Sequence, residues 1–292
     1  MNNDRAISSA KNGPRFAMSV DVEDYFQVWA FSGVIKRTSW DGFPLRVGET
    51  TRRCFDLFDA HNVKATFFTL GWIAEREPGL IREIVARGHE LASHGYDHAK
   101  VNGQSPTDFR GDVSKTKTLL EDIAGVEVKG YRAAGFSIGR DTPWAHDVLA
   151  EAGHAYSSST HPIRHDHYGD AAAPQSPYRP LSNAPFIEAP VATANVFGQR
   201  ISAAGGGWFR AAPLAASKAL LTRAAATLGG PAIFYFHPWE IDPDQPRITG
   251  APLKSTLRHY LNLKQMEGKL SNILSAFPWR RIDESLGLRG VA

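Results

Sequence analysis

The 292-residue chain contains a single cysteine, Cys54, so no intramolecular disulfide can form. Cys54 lies within the amphipathic run 51–58, which predicts a small residue of the core. With no second cysteine beside it, a metal site built on thiolates is also excluded.

Long apolar runs are missing as well. No stretch approaches the roughly 18 uncharged apolar residues that a membrane-spanning helix needs. Residues 1–14 lack the apolar core of a secretory signal and are expected to form a flexible segment. We therefore expect a cytoplasmic protein, with contact at the inner face of the membrane left open.

The chain also lacks a large excess of charge of either sign. The formal net charge is +3 and the pI is about 8.9, and the basic residues are scattered along the chain. This pattern does not indicate a nucleic-acid-binding protein. The chain also shows no fixed-period repeat and no low-complexity tract, which excludes solenoid and fibrous folds.

Short β-rich runs alternate with helical patterns from residue 15 onward. Such alternation predicts an α/β fold in which helical crossovers join parallel strands. The predicted strands are Phe16–Asp21, Lys64–Leu70, Glu90–Ser93, Lys129–Tyr131, Ala155–Ser158 and Ala232–Phe236.

Helix punctuation is clearest between these strands. Proline in the first turn and glycine past the end predict a helix over 78–88, and Ser105 followed by proline predicts one over 106–124. Residues 160–208 carry six prolines and no helical period, so an irregular or β-rich insertion is expected there. A helical pattern covers 252–277, and a last strand is expected at 278–282.

An acidic cluster follows the first predicted strand. Asp21 and Glu23 are two residues apart and fall on one side of an extended chain, with Asp24 next to them. Carboxylates at the carboxyl end of a barrel strand lie where active sites form. The alternative is that the cluster only caps the following helix.

Two histidines, His94 and His98, follow the strand at 90–93 and are four residues apart. On a helical turn this spacing would bring both imidazoles to one face, where they could bind a Zn²⁺-like ion. The alternative is a pair of surface or capping histidines. A carboxylate from the neighbouring strand end favours the metal site, because it would supply the third ligand.

Arg132 and His237 each come directly after another β-rich run. An arginine directed at Asp21 would keep that carboxylate ionised. A histidine across the site could donate a proton to a leaving amine. Each residue alone could equally be structural.

Taken in order, these motifs resemble the polysaccharide deacetylase family, also called the NodB-homology group or carbohydrate esterase family 4. The resemblance spans about residues 15–283, although Gly95 stands where the family usually has serine or threonine. Longer runs are similar to the branch encoded in bacterial exopolysaccharide loci beside PEP-CTERM sorting systems. These runs are 19–27, 64–68, 88–98, 162–166 and 237–246.

The resemblance implies a fold and a reaction. The fold would be a distorted (β/α) barrel of about seven strands, with residues 15–292 as one domain. The reaction would be removal of N-acetyl groups from an amino-sugar polymer or its lipid-linked precursor. The implied partners are therefore an N-acetylated polysaccharide or lipid-linked oligosaccharide, with peripheral contact to membrane-bound exopolysaccharide machinery left open and no nucleic acid.

The residues and the resemblance agree on roles. One divalent ion, Zn²⁺ by default with Co²⁺, Mn²⁺, Ni²⁺ or Fe²⁺ as alternatives, is expected on His94, His98 and either Glu23 or Asp24. Asp21 would be the base, supported by Arg132, and His237 the acid, with His165 or His167 as replacements. The expected sugar-stacking walls are Tyr168, Trp208, Trp239 and Phe136.

Two other functions remain open from the sequence. One is a hydrolase of the same fold that acts on a small amide, such as a deformylase or an allantoinase-like enzyme. The other is a sugar-binding barrel without catalysis. A binder needs no base, metal ligands and acid together, which favours an enzyme.

Overall fold

The computed structural model describes residues 5–6, 16–164 and 169–288. The strands are β1 Arg5–Ala6, β2 Phe16–Val22, β3 Thr66–Thr69, β4 Glu90–Ser93, β5 Gly130–Tyr131, β6 Tyr156–Ser157, β7 Tyr178–Arg179, β8 Ile187–Glu188, β9 Thr193–Val196, β10 Gln199–Ser202, β11 Ala232–Phe236 and β12 Trp279–Arg280. The helices are α1 Val47–Ala60, α2 Gly71–Arg76, α3 Pro78–Ala86, α4 Pro106–Ala124, α5 Ala145–Glu151, α6 Gly206–Ala211, α7 Leu214–Thr227, α8 Leu253–Tyr260, α9 Leu263–Ala276 and α10 Ile282–Ser285.

One mostly parallel sheet organises the molecule. Its order is β1-β7-β8-β6-β5-β4-β3-β2-β11, and β12 pairs with the start of β2. The strands β2, β3, β4, β5, β6, β8 and β11 are parallel, whereas β7 and β1 are antiparallel additions at one edge. All seven residues of β2 are buried, as expected for a parallel strand covered on both faces.

Two isolated bridges close the curled sheet. Val191, just after β8, pairs in parallel with Ile233 of β11, and Gly205 pairs with Tyr235. Gly205 has a φ of +116°, and a Cβ there would lie 1.9 Å from the carbonyl oxygen of Tyr235. Only glycine permits this approach. The distorted barrel of about seven strands that the sequence predicts is thereby confirmed.

Helix α4 begins and ends at the residues that the sequence predicts. Ser105 accepts a hydrogen bond from the Asp108 amide at the start of α4, and Gly125 ends that helix with a φ of +68°. Cys54 is buried on the inner face of α1. In the described part of the chain, no helix combines the length and the apolar character needed to cross a bilayer.

The structure divides one predicted helix into two. The helical pattern over 252–277 is divided into α8 and α9 by Asn262, whose φ of +55° lies in the left-handed region that asparagine tolerates. The predicted flexible segment 1–14 lies outside the described residues, apart from the short strand β1.

Candidate active site

The candidate site lies at the carboxyl ends of four parallel strands of the sheet, β5, β4, β2 and β11. Asp21 is the second-last residue of β2. His94 directly follows β4, Arg132 directly follows β5, and His237 directly follows β11. The first and last of these strands lie more than two hundred residues apart in the sequence. The barrel brings their ends together at the face where such barrels carry their active sites.

Three side chains form a candidate metal centre. The ligand atoms of Glu23, His94 and His98 lie within 4.8 Å of one another. The Nδ1 atom of His94 is 2.8 Å from the carbonyl oxygen of Arg132, so it must donate its proton and leaves Nε2 with a lone pair. A metal-binding imidazole is usually oriented in this way.

The chain between the two histidines is a loop, so the helical turn predicted from their spacing is wrong. Gly95 has a φ of +73° and His98 a φ of +59°, and both values interrupt a right-handed helix. A Cβ at position 95 would also lie 2.9 Å from a carboxylate oxygen of Asp112. The conformation explains why glycine replaces the serine or threonine usual in the family.

Asp24 lies away from the metal centre. Its Oδ2 atom accepts hydrogen bonds from the amides of Arg46 and Val47, at 2.7 and 2.9 Å, at the start of α1. Burial raises its pKa to about 6, and these backbone hydrogen bonds oppose that rise. Of the two carboxylates left open by the sequence, the structure brings Glu23 to the histidines. Asp24 takes the capping role considered for the cluster.

Asp21 is held by Arg132 in the barrel interior. The Nη1 atom of Arg132 donates to Asp21 Oδ1 at 2.6 Å and to the hydroxyl of Ser19 at 2.8 Å. Its other nitrogens donate to the carbonyl and hydroxyl of Ser158, and the guanidinium lies over the ring of Phe68. Four hydrogen bonds hold the buried guanidinium, and loss of Asp21 or Arg132 would leave an unpaired buried charge.

His237 faces both carboxylates. Its Nε2 atom is 3.4 Å from Glu23 and 4.0 Å from Asp21. Its Nδ1 atom is 2.8 Å from Oε1 of Glu240, and Arg210 donates to the other oxygen of Glu240 at 2.6 Å. The chain Arg210–Glu240–His237 therefore fixes the ring and leaves Nε2 directed into the site.

Burial and neighbouring charges determine how the site titrates. Burial raises the pKa of Glu23, but His98 and His237 outweigh it and hold that pKa well below its ordinary value. Burial lowers the pKa of His94 to about 4, so the ring is neutral at physiological pH. For His237, burial lowers the pKa, but Glu23, Glu240 and Asp21 raise it to about 9.

A pocket of about 640 Å³ opens above these groups. Trp208, 44% exposed, lies at its mouth, where the sequence predicts a sugar-stacking wall. Phe136 also lines the pocket, but it is buried against Tyr235. Tyr168, His165 and His167 lie outside the described residues.

Trp239 differs from its expected role as a stacking wall. Its indole is sandwiched between the rings of His237 and His259, with centroid distances of 5.1 and 4.2 Å. Its Nε1 atom donates to Glu23 at 3.1 Å. Because both faces are covered, Trp239 supports the candidate metal ligand and leaves no free face for a sugar ring.

Sequence reasoning missed the supports of His237. Glu240 stands three residues after His237, the spacing of a capping box, and its side chain accepts from the amide of His237 at 3.0 Å. That spacing could have identified it. Arg210 gives no such signal, because only the tertiary fold brings it to Glu240 across thirty residues.

The fold and the site thus define an α/β barrel with a candidate metal centre at the strand ends. Residues 38–157 match the family model described as polysaccharide deacetylase, and residues 158–287 match one described as a domain of unknown function, DUF3473. Residues 38–157 are therefore similar to the polysaccharide deacetylase family. One sheet crosses the boundary between the two matched segments.

Curated relatives match somewhat more than a third of the chain. A peptidoglycan-N-acetylglucosamine deacetylase from Bacillus cereus is 35% identical over 116 residues, which cover 38% of this chain and 40% of the relative. A chitooligosaccharide deacetylase from Bradyrhizobium sp. is 29% identical over 106 residues, covering 36% and 46%. The matching segment spans less than half the length of these relatives.

Solved structures share the fold over nearly the whole chain. A polysaccharide deacetylase from Mycobacterium smegmatis superimposes with a TM-score of 0.61 at 21% identity, covering 96% of this chain and 91% of the other. An allantoinase superimposes with a TM-score of 0.58 at 18% identity, covering 95% and 91%. At these identities the likeness establishes the fold alone.

Proposed function

We propose that this protein is a divalent-metal-dependent hydrolase that removes N-acetyl groups from an amino-sugar polymer or its lipid-linked precursor in exopolysaccharide synthesis. The observation that carries the proposal is the meeting of three metal-ligand side chains with Asp21 and His237 in one pocket. The names of the curated relatives, which describe deacetylases of N-acetylated sugars, support the same chemistry.

The donor set fits a divalent ion. Two imidazoles and one carboxylate suit Zn²⁺ and also accept Co²⁺, Mn²⁺, Ni²⁺ or Fe²⁺. The Oε2 atom of Glu23 is buried and lies 3.0 Å from Nε2 of His98, but no contact from the described residues has the geometry of a hydrogen bond to it. A cation would satisfy this oxygen. When bound, it would supply Lewis acidity for an acetamide carbonyl and for water.

The protein's own groups account for the proton transfers. Asp21 accepts the proton of the attacking water, and Arg132 holds its carboxylate in place. His237 donates a proton from Nε2 to the departing sugar nitrogen, while Glu240 retains the proton on Nδ1. The C–N bond breaks, the water oxygen joins the acyl carbon, and acetate and a free sugar amine result.

The space around the site favours a polymer over a small amide. A second hollow of about 520 Å³ adjoins the pocket and shares Lys100, Gly135 and Phe136 with it. Neighbouring sugar units of a chain could occupy it, whereas a small amide would leave it empty. The aromatic ring of Trp208 at the mouth suits the apolar face of a sugar.

The test compares acyl groups on matched substrates. The purified chain, loaded with Zn²⁺, should release acetate from N-acetylglucosamine oligomers and much less formate from their N-formyl counterparts. His98→Ala should lower both bound zinc and activity by about 10- to 100-fold or more, because a metal ligand is lost. Metal analysis and acetate assays measure both effects.

Asp21→Asn provides the matched control. The amide keeps the shape of the side chain but accepts no proton, so turnover should vanish while zinc stays bound. Full activity in chelator-containing, metal-free buffer would contradict the metal-dependent reaction. Preferred release of formate from small amides would favour the alternative hydrolase.

A further inference from the structure

Exposed apolar side chains gather beside the pocket. Nine large hydrophobic residues are exposed in the described part of the chain, and five of them line the pocket or belong to the adjoining turns of α8. Those five are Trp29, Trp208, Leu253, Leu257 and Leu261. An exposed apolar patch beside a functional opening is typical of an interaction surface.

Helix α8 presents a leucine stripe to solvent. Leu253, Leu257 and Leu261 are four residues apart and therefore share one side of the helix. They are 73%, 62% and 44% exposed. The structure buries His259 and packs Tyr260 against Phe31, and leaves the leucine stripe exposed.

The charged side chains of the surrounding segment, residues 245–266, are all basic. Between Asp244 and Glu267 the chain contains no acidic residue, whereas Arg247, Lys254, Arg258 and Lys264 all occur there. Lys254, Arg258 and Lys264 are exposed. A leucine stripe flanked by cations combines apolar insertion with attraction for negative charge.

We propose that this basic leucine face, formed by residues 253–264, docks on an anionic phospholipid bilayer. Lipid is favoured as the occupant because the charge is of one sign and the stripe is flanked by long basic side chains, which suit phosphate headgroups. Trp29 and Trp208, at the mouth, are the residue type enriched at membrane interfaces.

Docking in this orientation would turn the pocket toward the membrane. Arg258 and Leu261 line both the face and the pocket, and His259 stacks on Trp239, which in turn contacts Glu23. A substrate carried on a lipid would then meet the site at the bilayer surface. That use rests on the proposed function, whereas the docking does not.

Vesicle sedimentation tests the docking with the full chain. The protein should pellet with vesicles of phosphatidylcholine containing about one third phosphatidylglycerol and far less with pure phosphatidylcholine, and salt should weaken binding. Leu253→Ser with Leu257→Ser should lower the partition coefficient about ten-fold or more, since two inserted side chains are lost. Lys254→Gln with Lys264→Gln should remove most of the salt dependence.

Phe197→Ser is the matched control. Phe197 is fully exposed at the tip of the β9–β10 hairpin, so the variant removes a large exposed apolar side chain outside α8 and should bind like the wild type. Unchanged thermal unfolding would establish that the double-serine variant is folded. Its acetate release from soluble oligomers should persist, which separates failure of docking from failure of the proposed reaction.

Three outcomes would overturn the proposal. Wild-type protein that stays in the supernatant with anionic vesicles would exclude lipid as the occupant. A dimer that the double-serine variant dissociates, without vesicle binding, would identify a second copy as the occupant. Equal loss of binding in Phe197→Ser would mean that the effect is unspecific.

Discussion

Three polar side chains of the site are each positioned by a neighbour through one polar atom. His94 donates to the Arg132 carbonyl, Asp21 accepts from the Arg132 guanidinium, and His237 donates to Glu240. In each case the other polar atom is left for the pocket. The proposed base, the proposed acid and one of the candidate ligands therefore have fixed orientations before substrate binds.

Replacement of the proposed acid should depend on the leaving group. His237→Ala should slow deacetylation of a glucosamine amide by roughly 10²–10⁴-fold, the range for loss of a positioned general acid. The hydrolysis of an activated acetate ester, whose leaving group needs little protonation, should be slowed far less. Kinetics on the two substrates provide the measurement. Equal losses would mean that His237 is structural.

The pH profile should report the same residue. A general acid works only when protonated, so activity should fall as pH rises through the pKa of His237. That alkaline limb should lie between the ordinary 6.5 and about 9, because a bound cation offsets the charge of Glu23 that raises this pKa. The limb should flatten in His237→Ala. A profile unchanged by the substitution would contradict the assignment.

At the scale of elements, the connection from β2 to α1 gives adjacent carboxylates different tasks. Glu23 directly follows β2 and lines the pocket, whereas Asp24 is buried beside α1 and accepts hydrogen bonds from the amides at its start. The helix has no side-chain cap from its own preceding residue, Arg46. Asp24 thus ties the strand that carries the site to the helix that follows it.

The two carboxylates form a matched pair for mutation. Glu23→Ala should abolish tight zinc binding. Asp24→Ala should retain zinc but lower the free energy of unfolding by about 1–3 kcal/mol, because a cap is lost and buried amides are left unpaired. Metal analysis and denaturant unfolding measure the two effects. Loss of zinc in Asp24→Ala with intact folding would make Asp24 the ligand.

For the whole molecule, buried neutral histidines should set the response to acid. Burial lowers the pKa values of His89, His154 and His259 to about 3. The unfolded chain would protonate them near 6.5, whereas the folded protein keeps them neutral. Their contribution is therefore complete above pH 6.5 and is lost progressively as pH falls toward about 3, at about 2 kcal/mol per histidine near pH 5.

His154→Leu tests this response. Neither ring nitrogen of His154 has a hydrogen-bond partner among the described residues, so leucine removes the titration without breaking a bond. Between about pH 8 and pH 5 the variant should lose about 2 kcal/mol less stability than the wild type. Urea unfolding at both values measures this, and the comparison at the higher pH isolates the packing change. Parallel losses in both proteins would contradict the prediction.

The sequence by itself determined the order of the strands and the residue types at their ends. Short β-rich runs and helix punctuation are local properties, so β4, β11 and α4 could be predicted to the residue. The candidate residues Asp21, His94, His98, Arg132 and His237 could be found for the same reason, because each belongs to a short motif beside a strand.

Only the tertiary structure decided how these residues are used. The choice between Glu23 and Asp24 depends on where α1 lies, and the coverage of Trp239 depends on α8, elements that local sequence does not position. The leucines of α8 follow a helical period that is the same whether they face the core or solvent. Periodicity records which residues share a face, whereas the direction of that face is set by packing against distant parts of the chain.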